Sequence, residues 1–207
     1  MTHPPVAGFD ELFGESRVMV ILRGHTPDET VALAHLAWDA GVDLLEVTIG
    51  EPGQVAALAA TVAAGRQRGK RVGAGTVVSA SHVDQASATG AEFTVAPGFD
   101  ARVLAASTAA GLPHLPGVGT ATEVHLALSH GCTWLKAFPA NALGPAWFRA
   151  IRGPFPHVNL VATGGITVES ATDFLDAGAR VTGLGAALST PDAVRGLGEL
   201  AALRFGS

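Results

Sequence analysis

A single cysteine, Cys132, excludes an internal disulfide and suits a reducing compartment. Its plain reading is a small buried hydrophobe in a strand. No apolar run approaches the roughly 20 residues of a membrane span. Residues 1–10 lack the basic-then-apolar pattern of a secretory leader, so a cytoplasmic protein with no membrane partner is expected. Basic excess is missing too: the formal net charge is -5, which gives no footprint for nucleic acid. Neither HExxH nor CxxC occurs, and His125 and His130 lie five apart, off the i, i+4 face of a helix. No metal site is therefore expected. Charged residues make up only 15% against 48% apolar, which argues for much buried surface and against disorder. A chain of 207 residues suits one domain, taken as 1–207.

What is present is a repeat of short β-branched runs and Ala/Leu-rich segments. The strands are expected at Val18–Leu22, Val42–Thr48, Arg71–Gly75, Ala91–Ala96, Leu112–Leu115, Thr133–Phe138, Val158–Ala162 and Arg180–Leu184. Helices are expected between them, near Pro27–Ala40, Gln54–Ala64, Ser81–Ala88, Ala101–Ala110, Thr122–Ser129, Pro145–Ile151 and Val168–Ala177, with a closing helix at Pro191–Leu203. Glycine follows several helix ends, at Gly41, Gly90, Gly111, Gly131 and Gly178, where a left-handed cap turns the chain into the next strand. Eight such units predict a single (β/α)8 TIM barrel of parallel strands, with residues 8–16 forming a helix that closes its bottom. A doubly wound open sheet is the alternative, but Arg23-Gly24-His25 after the first strand is not a dinucleotide loop.

Lysine is scarce: only Lys70 and Lys136 occur. Lys70 lies in the polar stretch Arg66-Gln67-Arg68-Gly69-Lys70-Arg71, which reads as a solvated loop. Lys136 interrupts a run that otherwise reads as a buried strand, where an ammonium is costly unless it is paired or deprotonated. A deprotonated lysine is a nucleophile that forms Schiff bases with carbonyls. Glu46 is the second charge inside an apolar run. In a barrel the active site lies at the C-terminal strand ends. Two-residue alternation groups Met19, Ile21 and Arg23 on one face, then Leu44, Glu46 and Thr48, then Ala74 and Thr76, then Trp134, Lys136 and Phe138. If these faces point inward, Arg23, Glu46, Thr76, Lys136 and Thr163 converge at the mouth. An iminium on Lys136 would let the neighbouring carbon bond break, with Glu46 moving protons. Arg23 and Thr76 would hold a substrate carboxylate. The plain alternatives are a structural ion pair of Glu46 with Arg23 or Lys136, and a snorkelling Lys136. Gly164 and Gly165 open a helix after the seventh strand, and Gly183-Leu184-Gly185-Ala186 ends the eighth; the two together suit an anion such as phosphate.

With those residues in place, the chain resembles the 2-keto-3-deoxy-6-phosphogluconate and 4-hydroxy-2-oxoglutarate aldolases, together with the phosphogalactonate relatives. The matching segments run in order: Ile21-Leu22-Arg23-Gly24, Leu45-Glu46-Val47-Thr48, Val72-Gly73-Ala74-Gly75-Thr76-Val77, Val95-Ala96-Pro97-Gly98, Leu115-Pro116-Gly117, Leu135-Lys136-Ala137-Phe138-Pro139, Gly153-Pro154-Phe155-Pro156 and Thr163-Gly164-Gly165-Ile166. The resemblance implies a metal-free class I aldolase without a separate cofactor, a homotrimer of barrels acting on a small 2-keto acid. It implies Lys136 as the Schiff-base lysine and Glu46 as the proton shuttle. It further implies Arg23 and Thr76 at the carboxylate, and Pro97, Phe138 and Thr163 around pyruvate. Gly164, Gly165, Gly185 and Ala186 fall at the phosphate. There are two departures. Ile49-Gly50-Glu51 follows Thr48 where many members carry an arginine, and Ala186 stands where phosphate-binding members usually have serine. Other readings are a pyruvate aldolase for a non-phosphorylated 2-keto acid, a phosphate-binding synthase or isomerase barrel, and a non-catalytic sugar-phosphate binder.

Overall fold

The structure, a computed structural model, describes residues 8–51, 53–185 and 190–203. Nine strand segments are hydrogen-bonded in parallel in the order β5-β4-β3-β2-β1-β9-β8-β7-β6. They are β1 (Val18–Leu22), β2 (Leu44–Thr48), β3 (Arg71–Gly75), β4 (Thr94–Val95), β5 (His114–Leu115), β6 (Gly117–Val118), β7 (Trp134–Ala137), β8 (Asn159–Thr163) and β9 (Val181–Leu184). The two terminal segments of that order are halves of one stave, broken at Pro116. Proline has no N–H to give a ladder, so β5 pairs only with β4 and β6 only with β7. The expected (β/α)8 TIM barrel is therefore what forms, its fifth strand bent in the middle.

Alternation sorts each strand into two environments. Met19, Ile21, Leu44, Phe93, Val95, Leu115, Trp134, Val161 and Val181 pack together inside the barrel. Val18, Val20, Leu45, Val47, Val72, Leu135, Leu160 and Leu184 pack outward against the helices. Ala74 belongs to the outward set, so the expectation that it faces inward with Thr76 fails. The inward positions of β3 are Gly73 and Gly75. A side chain at Gly73 would collide with the Phe93 ring.

The helices are α1 (Phe9–Phe13), α2 (Pro27–Asp39), α3 (Gln54–Arg68), α4 (Ala80–Thr89), α5 (Ala101–Ala109), α6 (Ala121–Ser129), α7 (Ala140–Ile151), α8 (Val168–Asp176) and α9 (Pro191–Ala202). Helix α1 lies at the N-terminal end of the strands. There Phe13 stacks on Trp134 at 5.0 Å, Phe9 meets Phe93 edge-on at 6.0 Å, and Trp134 Nε1 donates to Asp10 at 3.1 Å. Two helix ends differ from expectation. Helix α3 continues through Arg66 and Arg68 to a left-handed Gly69, because basic residues suit the negative end of a helix dipole. Helix α7 begins at Ala140 rather than Pro145, and the chain breaks at Gly144 (φ 73°, ψ 161°) so that Pro145 starts a second helical run.

Behind α5 lies a buried polar cluster. His114 Nδ1 and Thr94 Oγ1 are 2.8 Å apart, and Thr94 Oγ1 is 3.0 Å from Ser107 Oγ. Burial pushes the His114 imidazole down to about 4.

Candidate active site

Glu46 sits at the inner face of β2, registered between Ile21 of β1 and Gly73 of β3. Its side chain lies across Gly75, where any Cβ would overlap the carboxylate. The glycine at position 75 thus makes the room that Glu46 occupies. Lys136 enters from β7, on the opposite side of the barrel, registered between Gly117 and Val161. Its Nζ stops 3.8 Å from Glu46 Oε1, with the two side chains 5% and 0% exposed. The ammonium nitrogen also lies 5.2 Å from the centre of the Phe138 ring. Neither Glu46 oxygen has a hydrogen-bond partner among the described residues, and Thr163 Oγ1, also buried, has none. A buried pair held only for stability needs short, fully satisfied contacts. This one has a long contact and leaves acceptors over.

The other residues singled out from the sequence stand around this centre in different ways. Arg23 follows the last residue of β1, is exposed, and makes no ion pair among the described residues. Thr76 follows β3, is half-buried, and has φ 60°, a left-handed conformation that is a true outlier for a β-branched residue. That turn breaks the alternation and sets Thr76 against the loop after β2, where a Cβ on Gly50 would lie 2.8 Å from Thr76 Cγ2. Strained backbone of this kind gathers at functional sites. Pro97, half-buried, is pinned to the broken fifth stave: Gly117 N donates to Gly98 O at 3.3 Å, and a Cβ on Gly117 would strike the Pro97 carbonyl.

Gly164 and Gly165 take φ of 95° and 70° beyond the end of β8. A Cβ on Gly164 would lie 2.9 Å from the Phe138 ring, which ties this loop to the lysine strand. Gly185 is exposed just past β9, and Ala186 lies outside the described residues. Sequence reasoning missed three positions that shape the mouth. Gly75 makes room for Glu46, and Gly183 does the same for Thr163, whose Cγ2 would be 2.6 Å from a Cβ there. Asn141 is the third: its backbone N–H donates to Gly164 O at 3.0 Å, and its side-chain amide covers Gly165. The nearness of Asn141 to the proline after Phe138 was its only signal, and that signal has no periodicity.

Charged side chains that meet in an apolar lumen at the C-terminal end of a barrel define a barrel enzyme. Comparison with known proteins narrows the class. The family model described as KDPG and KHG aldolase matches residues 9–201, and the chain belongs to that aldolase family. It is 35% identical over 172 residues to the 2-dehydro-3-deoxy-6-phosphogalactonate aldolase of Escherichia coli K12, covering 83% of each chain. It is 36% identical over 162 residues to a 2-dehydro-3-deoxy-phosphogluconate aldolase of Treponema pallidum, covering 77% of this chain and 75% of the relative. Among solved structures, the KDPG aldolase of Legionella pneumophila superposes with a TM-score of 0.81 at 28% identity, covering 94% of this chain and 97% of that one. That enzyme was captured with pyruvate as a covalent carbinolamine. Among the described residues of the present chain, no helix is long and apolar enough to cross a membrane.

Proposed function

We propose that this chain is a class I aldolase that reversibly cleaves a 2-keto-3-deoxy-6-phosphosugar acid to pyruvate and glyceraldehyde 3-phosphate. The observation that carries the reading is the pair of unsatisfied Glu46 oxygens facing Lys136 Nζ at 3.8 Å across a buried lumen. Lys136 Nζ, as the free amine, attacks the C2 ketone to give a carbinolamine, and loss of water gives an iminium. As the C4 hydroxyl loses its proton, the C3–C4 electron pair moves into an enamine and the aldehyde leaves. Protonation at C3 and hydrolysis then release pyruvate. Glu46 carries protons to and from these atoms, being the carboxylate beside Nζ. The exposed Arg23 and the hydroxyl of Thr76 bind the substrate carboxylate, while Pro97, Phe138 and Thr163 wall the pyruvate half. The chemistry needs no cofactor beyond the lysine itself.

The phosphate is assigned to the backbone N–H groups of Gly164 and Gly165, with Gly185 and Ala186 opposite. Left-handed glycines in succession present N–H groups to an anion. The side-chain amide of Asn141 adds a donor beside Gly165. Ala186 brings no hydroxyl, and losing one donor to a charged group costs about 1.5–3 kcal/mol. That residue favours a second reading, cleavage of 4-hydroxy-2-oxoglutarate or another non-phosphorylated 2-keto acid by the same lysine. The homotrimer rests on family likeness. Pyruvate release from KDPG, its C4 epimer and 4-hydroxy-2-oxoglutarate tests the proposal. A kcat/KM at least tenfold higher for one phosphorylated substrate supports the first reading. A preference for 4-hydroxy-2-oxoglutarate supports the second, and no pyruvate from any of them refutes both.

A further inference from the structure

Far from the mouth, a hollow of about 430 Å³ opens at the N-terminal ends of β8, β9 and β1. Its lining brings Arg17, Arg152 and Arg180 together with His157 and Asn159, and includes no carboxylate. For a chain with 13 basic residues and a net charge of -5, this concentration is unusual. A second hollow of about 390 Å³ adjoins it through Arg152 and Pro156 and adds Arg149, with Asp176 as its acidic member.

The guanidiniums are held in place before any ligand arrives. Arg180 lies over the face of Trp134, its Cζ 5.6 Å from the ring centre. The Arg152 side chain crosses Gly178 (φ 104°), where a Cβ would come within 2.6 Å of its Cδ and Nη1. Arg17 is half-buried beside them. Burial, and then the Arg180 charge, make the Arg17 cation less favourable, while Asp176 works the other way. Gathering like charges in a half-desolvated hollow has an electrostatic cost that a bound anion repays. Guanidiniums also match phosphate oxygens in paired hydrogen bonds.

We propose that this hollow is a second anion site, at the closed end of the barrel, for a small molecule carrying a phosphate or diphosphate group. It is separate from the catalytic mouth and does not depend on the aldolase reading. It sits on the strands whose other ends bear Arg23, Thr163 and Gly185, so an occupant would brace the staves that carry those residues.

Inorganic pyrophosphate is the probe, titrated calorimetrically into the full chain at fixed ionic strength in about 0.15 M salt, where diffuse surface attraction is screened. Arg152→Gln and Arg180→Gln are each expected to weaken binding about tenfold, the loss of one charge-assisted contact. Both should leave kcat and KM for pyruvate release unchanged. Wild-type affinity in both variants would overturn the proposal, because the anion would then sit elsewhere. So would the absence of binding to wild type in that salt, or binding that only competes with substrate. If Arg180→Gln fails to fold without its stacking on Trp134, Arg152→Gln decides alone, since its side chain is at the surface.

Discussion

Glu46 and Lys136 depend on each other, so single changes at either are informative. Glu46→Gln keeps the shape and removes the charge. It is expected to lower kcat by about 10²–10⁴-fold, the usual worth of a positioned acid–base group, measured by pyruvate release. An unchanged kcat would assign the proton transfers elsewhere. Gly75→Ala reaches the same carboxylate from behind. Its Cβ would overlap Glu46, so activity should fall while the fold survives, and a fully active variant would contradict the geometry. His114 makes a pH prediction away from the site. Its folded value of about 4 lies below the ordinary 6.5. Between these values the unfolded chain binds the extra proton, so stability is complete above about pH 6.5 and is lost as pH falls towards 4. The loss is about 3 kcal/mol. Urea melts of wild type and His114→Gln at pH 7.5 and pH 4.5 should show the wild type losing more stability. Parallel losses would show that His114 is not the group responsible.

At the scale of elements, glycines set both the ends of helices and the loops that bind. Gly69 ends α3 with φ 64°, and Gly69→Ala should cost about 1–2 kcal/mol in a denaturant melt, against no change if the cap is dispensable. Gly165→Ala meets both a positive φ and the Asn141 amide. It should raise KM for a phosphorylated substrate while sparing attack by pyruvate on Lys136. An equal effect on a non-phosphorylated substrate would remove this loop from phosphate binding. Much of this was legible in the sequence. The strand–helix repeat stood out because each helix stops at a glycine before a β-branched run, and Lys136 and Glu46 because a charge in an apolar run is conspicuous. What was not legible depends on contacts made across the chain. The Arg66–Arg68 run read as a solvated loop, although arginine is a good helix former and suits a C-terminal turn. Pro145 masked the first turn of α7, because a break at Gly144 restarts the helix there. Alternation misassigned Ala74, because the inward positions of β3 are the two glycines that admit Phe93 and Glu46. No local pattern announces a glycine kept small for a side chain from a neighbouring strand.

At the scale of the molecule, the barrel separates its tasks by end. The N-terminal end is closed by aromatic stacking of α1 on Trp134. The C-terminal end holds the lysine, the glutamate and the glycine loops, on strands whose outward faces are locked into the helix layer. Sedimentation should give three times the mass of one chain if the family's assembly holds, and a single-chain mass would remove the trimer from the account. The measurement that reaches the central claim most directly is reductive trapping. The protein is incubated with pyruvate and sodium borohydride, and the adduct is located by peptide mass mapping, with Lys136→Met as control. The account predicts one reduced pyruvyl adduct, on the peptide containing Lys136, absent from the control. A folded wild-type protein that takes up no pyruvate, or takes it up on Lys70, would contradict it.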